Sequence, residues 1–396
     1  MGKIYIDRKL FVILIVGFVI RVMANNIEYS PDALSFTIWA KYLTQNSISD
    51  LYKYLPSGYL PYPPLYYYIL LPFGYLMSFW GLGIDSWLAL LLVKIPAMFS
   101  DLAVAIGVYF ITTKWFTRSF GLIASAFYLL NPVTGYNTSV WGQIDAVIIF
   151  LGWLCVDAFA QKRLFRGWFW FILGSLIKLQ MLALLPLALI LTVKRLSVRM
   201  FIKYIFILGV LAFIPFLPLL ITEDIVSTIV YFVNLPNQYP YTSIFAYNIW
   251  APLGFLVSDK LRLFGLAEVR LVGIMLFWSV SICILYPFIN ANKISHKKLF
   301  FAAFLLWFAF ALFPTRIHSR YLIYTFGFIA PFVGRLPKFA ASLTFLMIAN
   351  FLLPNKNIFL SPLVGLLNTS VVTIGMVLFA LSLFIIGCKY YSSMQV

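Results

Sequence analysis

The sequence predicts an all-α integral membrane protein, a polytopic bundle of about 11–13 transmembrane helices with outward-facing interfacial helices. Three observations predict it. Of 396 residues, 63% are hydrophobic and 10% charged, whereas soluble globular domains carry about 25% charged residues. The mean hydropathy is +0.96. Apolar stretches near the ~20 residues that cross a hydrocarbon core at 1.5 Å per residue recur along the whole chain.

Taken in order, crossings are expected at 10–29, 88–113, 120–133, 143–160, 166–178, 181–194, 203–221, 267–290, 299–313, 321–335, 339–353 and 363–388. Segments such as 120–133 and 166–178 are too short to span alone unless the bilayer thins or neighbouring helices line a cavity around them. No small-residue cleavage motif follows the first crossing, so it is expected to remain as an anchor. With the N-terminus cytoplasmic, the inward side receives Lys3, Arg8, Lys9, Lys114, Arg118, Lys162, Arg163, Arg166, Lys194, Arg195, Arg199, Lys203, Lys293, Lys297, Lys298, Arg335, Lys338 and Lys389, which is 18 of the 29 basic residues. That count requires residues 63–80 to make no net crossing, as a re-entrant or interfacial helix.

The net charge of +17 is consistent with cytoplasmic loops and lipid headgroups. No zinc, RNA-binding or basic-helix signature supports a nucleic-acid partner. Cys155, Cys283 and Cys388 lie in or beside apolar runs and suggest neither a disulfide framework nor a metal site. The chain reads as one membrane domain over 1–396: helices 1–221 with an outward loop 30–87, a second outward loop 222–258, and C-terminal helices 259–396. Both loops are long and rich in Tyr, Trp and Phe, which suits the membrane interface and also stacks on sugars.

Polar groups at membrane depth are costly unless partnered or used, so each carries a functional reading beside a structural one. Asp32, in Ser30-Pro31-Asp32, is either an ordinary helix-start acid or a carboxylate at the outer bilayer surface, on a helix with Phe36 and Trp39. Trp141, Gln143 and Asp145 open the crossing after Asn131-Pro132. Lys178 and Gln180 interrupt apolar sequence, and a buried lysine needs an anion: Asp145, Asp101 or a ligand phosphate. Arg316, His318 and Arg320 form a basic cluster with Tyr321 on an outward turn, suited to phosphate or to lipid headgroups. Lys94 and Asp101, seven residues apart on one helix face, suggest structural pairing with other helices. No phosphate-binding glycine loop, dinucleotide fingerprint or nucleophile elbow is present.

The ordered set resembles a known family. Ser30-Pro31-Asp32 to Trp39-Ala40, then Tyr62-Pro63-Pro64-Leu65, Trp141-Gly142-Gln143-Ile144-Asp145, Lys178-Leu179-Gln180, Ala246-Tyr247-Asn248-Ile249-Trp250 and His318-Ser319-Arg320-Tyr321-Leu322 together resemble the polyprenyl-phosphate-sugar-dependent glycosyltransferases of the C superfamily, closest to the mannosyltransferase-like branch. The resemblance implies the glycosyltransferase C fold, with 1–221 as the catalytic module, 259–396 as a variable part, and an active site on the extracytoplasmic side of the plasma (inner) membrane. It implies Asp32 as the general base, with Arg320, His318, Arg316, Lys178, Gln180, Asp145, Gln143, Tyr62, Tyr247, Asn248 and Trp250 binding substrate or phosphate. It implies a polyprenyl-phosphate sugar donor, mannose-like, and a glycan or glycolipid acceptor among membrane lipids. The family often has an acidic pair where this chain has Pro31-Asp32, and no metal or other cofactor is expected. Two other classes compete. A transporter or flippase of a lipid-linked or anionic solute predicts an internal repeat, and none is evident. A polysaccharide ligase would use a lipid-diphosphate donor.

Overall fold

The structure, a computed structural model, describes residues 7–25, 31–54, 62–193, 195, 197–222, 230, 234–289, 291, 293–352 and 369–395. Ser30, Lys3, Lys194, residues 26–29 of the first expected crossing and the start of the last one, 363–368, lie outside the described residues. So do 55–61 of the first outward loop and 223–229 and 231–233 of the second.

The chain is 79% helical. Its only sheet among the described residues is a two-stranded hairpin, Arg262–Leu263 with Ala267–Glu268. Four helices among the described residues are long and apolar enough to cross a membrane: Trp87–Trp115, Ile202–Ile221, Val269–Ile289 and Ser370–Ser393. The remaining expected crossings form shorter helices. Residues 120–133 fold as the 12-residue helix Arg118–Leu129, and 166–178 as the 14-residue helix Leu164–Ile177. Two of the expected crossings are not single α-helices. Residues 181–194 begin in a 3-10 turn, Leu179–Leu184, before Leu185–Val193. Residues 321–335 break into Ser319–Thr325, Phe326–Ile329 and Ala330–Phe332, alternately 3-10 and α. Almost every side chain there is buried, and irregular backbone is tolerated where protein encloses it.

Two compact units make up the chain. The first comprises Met1–Leu182 and Arg195–Gln238. It contains α1 (Arg8–Ala24), α2 (Pro31–Tyr42), α3 (Ile48–Tyr54), α4 (Pro64–Phe79), α5 (Trp87–Trp115) and α6 (Arg118–Leu129), then the helices Asp145–Ala160 and Leu164–Ile177. The 63–80 segment is therefore a regular 16-residue helix. It packs on α2 so closely that a Cβ on Gly74 would lie 2.0 Å from the Ala40 carbonyl oxygen. α5 packs against α6 and Asp145–Ala160.

Charges inside this unit dictate which faces turn inward. α1 leaves Phe11, Val12, Ile15, Val19 and Met23 exposed, as lipid-facing side chains would be, and buries Arg21 completely. Arg21 Nε donates to Asp101 Oδ2 at 2.8 Å and Nη1 to the Leu129 carbonyl at 2.6 Å. Tyr128 and Thr138 hydroxyls each donate to Asp101 at 2.8 Å. The structural reading of Asp101 holds. Lys94 has other partners: its Nζ donates to Asn25 Oδ1 at 2.8 Å and to the Ser139 carbonyl at 2.6 Å.

The second unit comprises Ala183–Lys194 and Tyr239–Val396. Its axis is His296–Leu312, where residues on every side are buried, as expected of a helix that is apolar all round. Val269–Ile289, the irregular 319–332 segment and Thr369–Ser393 pack against it. The part of the second outward loop within this unit is tied down by backbone bonds, Ile244 N to the Ile317 carbonyl at 2.9 Å and Ser319 N to the Ile244 carbonyl at 3.0 Å.

Removing one partner from a buried ion pair strands a charge and costs about 3–5 kcal/mol. Asp101→Ala is therefore expected to lower the thermal unfolding midpoint in detergent sharply, and Arg21→Met with Asp101→Leu to restore most of it. At the start of α1, Asp7 caps the helix and lies outside the membrane-spanning segments. The hydrogen bond from Arg118 Nε at 2.6 Å, followed by that from the Lys9 backbone N–H at 3.0 Å, lowers its pKa to about 2. A depressed carboxylate stabilises the fold above its unfolded pKa of ~3.9 and loses that contribution as pH falls through the folded value. Between about pH 4 and 2, the wild-type chain should lose stability more steeply than Asp7→Asn, as read by thermal unfolding across that range.

Candidate active site

The first unit gathers six of the residues singled out in the sequence. Four segments supply them: α2 gives Asp32, the turn before α4 gives Tyr62, the start of Asp145–Ala160 gives Trp141, Gln143 and Asp145, and the end of Leu164–Ile177 gives Lys178.

Local backbone explains how Trp141 and Gln143 reach Asp32. Asn131 caps a short helical turn, Pro132–Gly135, which widens into a π-helical turn over Tyr136–Val140. Such wide turns are rare and frequent at functional sites. Lys94 holds the Ser139 carbonyl and Asp101 holds the Thr138 hydroxyl, so the turn is fixed from α5 on two sides. Gly142 then reverses the chain at φ 77°, in the left-handed region that favours glycine. A Cβ there would lie 2.8 Å from the Ala33 Cβ. The missing side chain therefore brings this turn against the residue next to Asp32.

Asp32 is half-buried. Its Oδ2 accepts from Trp141 Nε1 at 3.0 Å and from Gln143 Nε2. Gln143, fully buried, turns its carbonyl oxygen the other way. That oxygen lies 3.3 Å from the Tyr62 hydroxyl and 3.5 Å from Lys178 Nζ, both as donors. The amide thus presents N–H to an anion and C=O to a cation, the one orientation both neighbours accept. Lys178 Nζ donates to Asp145 Oδ1 at 2.5 Å and lies 5.6 Å from the Tyr62 ring centroid. Asn137 Nδ2 reaches the other Asp145 oxygen at 3.4 Å. Of the three anions open to Lys178 in the sequence, the structure selects Asp145. The pair is buried on both sides and self-compensating, so Lys178 has a carboxylate partner within the fold. Gln180 follows in the 3-10 turn, half-buried.

An aromatic cluster backs the carboxylate. Phe36 packs on Trp39, Tyr62 and Tyr66 at centroid distances of 5.4, 5.9 and 5.2 Å, and Trp39 packs on Tyr67 at 5.5 Å. Phe36 and Trp39 are therefore interior groups and not interfacial ones. The Tyr52 hydroxyl donates to the Tyr62 carbonyl at 2.7 Å and fixes the Tyr-Pro-Pro-Leu turn.

The remaining expected residues lie in the second unit, where several make contacts within the fold. Arg316, at φ 65°, donates from Nε to Asp259 Oδ2 at 2.6 Å, and Asp259 is fully buried. This ion pair holds the Nε–Nη2 edge of the guanidinium. Asn248 donates to the Thr242 and Pro314 carbonyls at 3.1 and 3.2 Å, and Trp250 Nε1 donates to the Phe313 carbonyl at 2.6 Å. Tyr247 is buried, its backbone N–H held by Asn350. Asn248 and Trp250 thus stitch the 239–258 loop to the 313–317 turn, and Tyr247 ties it to Asn350. His318 is half-buried between the rings of Tyr239 and Tyr321, at 5.1 and 5.2 Å, and Arg320 stacks over Tyr321 at 5.7 Å.

Two buried charges with structural roles, Arg21 in the first unit and Asp259 in the second, are not among the expected residues. Arg21 is a lone cation in an apolar run, the same signal that drew attention to Lys178; Asp259 sits in a polar turn and carries no local signal. Among the described residues, no three His, Cys, Asp or Glu side chains are grouped to hold a metal ion.

No family model matches this chain, and no curated protein matches it.

Gly142→Ala combines an unfavourable left-handed backbone, costing roughly 1–2 kcal/mol, with a clash against Ala33. Its melting temperature should fall, and Gly142→Val should fall further. If both melt like wild type, the close approach beside Asp32 is wrong.

Proposed function

We propose that the chain is a membrane glycosyltransferase that moves a mannose-like hexose from a polyprenyl-phosphate donor to an acceptor hydroxyl, on the extracytoplasmic face of the plasma membrane. One observation carries the reading. Asp32 is a half-buried carboxylate, aimed by two N–H donors from a single turn and backed by aromatic rings, beside an internally neutral Lys178–Asp145 pair. A general base needs this kind of fixed placement with a face still open to substrate.

The chemistry follows from the donor. A sugar on a phosphate monoester already carries a good leaving group. Asp32 takes the proton from the acceptor hydroxyl as its oxygen attacks the anomeric carbon, the bond from that carbon to the phosphate oxygen breaks, and phosphate leaves on the lipid as an anion. One displacement inverts the anomeric centre. Trp141 and Gln143 hold the carboxylate in place. Gln143 cannot turn its amide around without setting its carbonyl against Asp32, so the Lys178–Asp145 pair acts on the base through Gln143, as positioning groups. Aromatic rings beside a carboxylate also suit a sugar, presenting flat apolar faces to its C–H surface. The order of motifs from Asp32 to Leu322 supports the same reading.

Positioned acid–base groups contribute about 10²–10⁴-fold to rate. Membranes holding Asp32→Asn should therefore lose transfer from a panel of radiolabelled polyprenyl-phosphate sugars by that order, with an unchanged melting temperature. Near-normal turnover would remove the role. A lipid-diphosphate donor serving better than the monophosphate would favour the ligase reading instead.

A further inference from the structure

The hairpin before Val269–Ile289 has an unusual tip. Arg262 pairs with Glu268 and Leu263 with Ala267, and the turn between them passes through Phe264 at φ 50° and Gly265 at φ 73°. This geometry directs the two large side chains of the turn away from the protein. Phe264 is 97% exposed and Leu266 is 85% exposed. Leu261, just before the first strand, is also exposed. Single exposed apolar residues are ordinary, but two nearly bare ones at the end of a two-residue ladder have no protein surface to cover them and a fixed direction.

The surroundings name what covers them. Lys260 and Arg262 are exposed beside the tip. Glu268 forms an ion pair with Arg270 at 2.5 Å, and Asp259 is buried against Arg316, so neither acid offsets Lys260 and Arg262. The ladder ends directly in Val269–Ile289, which is long and apolar enough to cross a membrane. The first turns of that helix expose Leu271, Ile274 and Met275. The apolar surface therefore continues from the tip into a helix whose outer face suits hydrocarbon, with cations at the junction. An apolar wedge with flanking Lys and Arg is the composition that enters the headgroup and upper acyl region of a bilayer.

We propose that the 261–266 hairpin is a membrane-surface anchor. Phe264 and Leu266 insert into the interfacial layer of the leaflet that Val269–Ile289 enters, while Lys260 and Arg262 contact anionic headgroups. The anchor fixes that end of the helix in depth, and with it the loop that pairs with 316–319. It is independent of any transferase activity.

The test uses the full chain in liposomes of mixed zwitterionic and anionic lipid. Cys155, Cys283 and Cys388 are replaced by alanine, and an environment-sensitive fluorophore is placed on Phe264→Cys. A second sample carries the fluorophore on Asn46→Cys, an exposed turn in the first unit. Blue-shifted emission at 264, strong quenching by lipids brominated near the headgroup and weak quenching by aqueous iodide are the expected results. Adding Leu266→Asp, or Lys260→Glu with Arg262→Glu, should shift emission to the red and restore iodide quenching. Three outcomes overturn the anchor. The first is iodide quenching at 264 as strong as at 46 without lipid quenching. The second is protection from both quenchers, which means protein covers the tip. The third is a blue shift unaffected by either set of substitutions.

Discussion

A charge cannot be taken out of water without a partner, and in the first unit this constraint fixes the arrangement of the helices. Arg21 is buried in the apolar stretch of α1 that follows Arg8 and Lys9, so α1 can sit only where Asp101 and the Leu129 carbonyl meet it. Lys94 can be buried only where Asn25 and the Ser139 carbonyl receive its protons. Lys178 can be buried only against Asp145. Each desolvated ion costs several kcal/mol before its partners compensate it. Helices of Leu, Ile and Phe could slide past one another at little cost, and these pairings remove that freedom.

The same partners build the candidate site. Asp101 and Lys94 of α5 hold the π-helical turn at Thr138 and Ser139, and Gly142 lets it close against α2. What results is a short rigid bridge from a structural ion network to the Asp32 carboxylate. Gln143 sits at its centre because an amide presents N–H donors on one side and a carbonyl acceptor on the other, and so satisfies an anion and a cation at once. In the second unit the same demand is met at Asp259, which receives Arg316 and Thr315 and so locks the turn that carries His318.

The fold class was legible because it depends on composition and run length, and so were the helices at Trp87–Trp115 and Val269–Ile289, which are long, apolar and interrupted by few charges. Asp32, Gln143, Asp145 and Lys178 were legible as polar residues in costly places. Asp145 was one of three anions open to Lys178, but the link from Asp32 through Gln143 to Lys178 was not legible, because Gln143 and Lys178 are 35 residues apart and Asp32 and Gln143 are 111 apart. The fold contacts of Arg316, Asn248 and Trp250 were not legible either, because their partners Asp259, Pro314 and Phe313 lie 57, 66 and 63 residues away in the chain.

By itself, then, the sequence determined that this chain is helical, that its surface is largely apolar, and which few polar residues have to be accounted for, since transfer free energies depend on residue type and apply without knowledge of the fold. Only the tertiary structure decided which charge neutralises which, that Phe36 and Trp39 face inward, and that Phe264 and Leu266 face out. Pairing and facing depend on distances between residues far apart in the chain, and no local pattern encodes those distances.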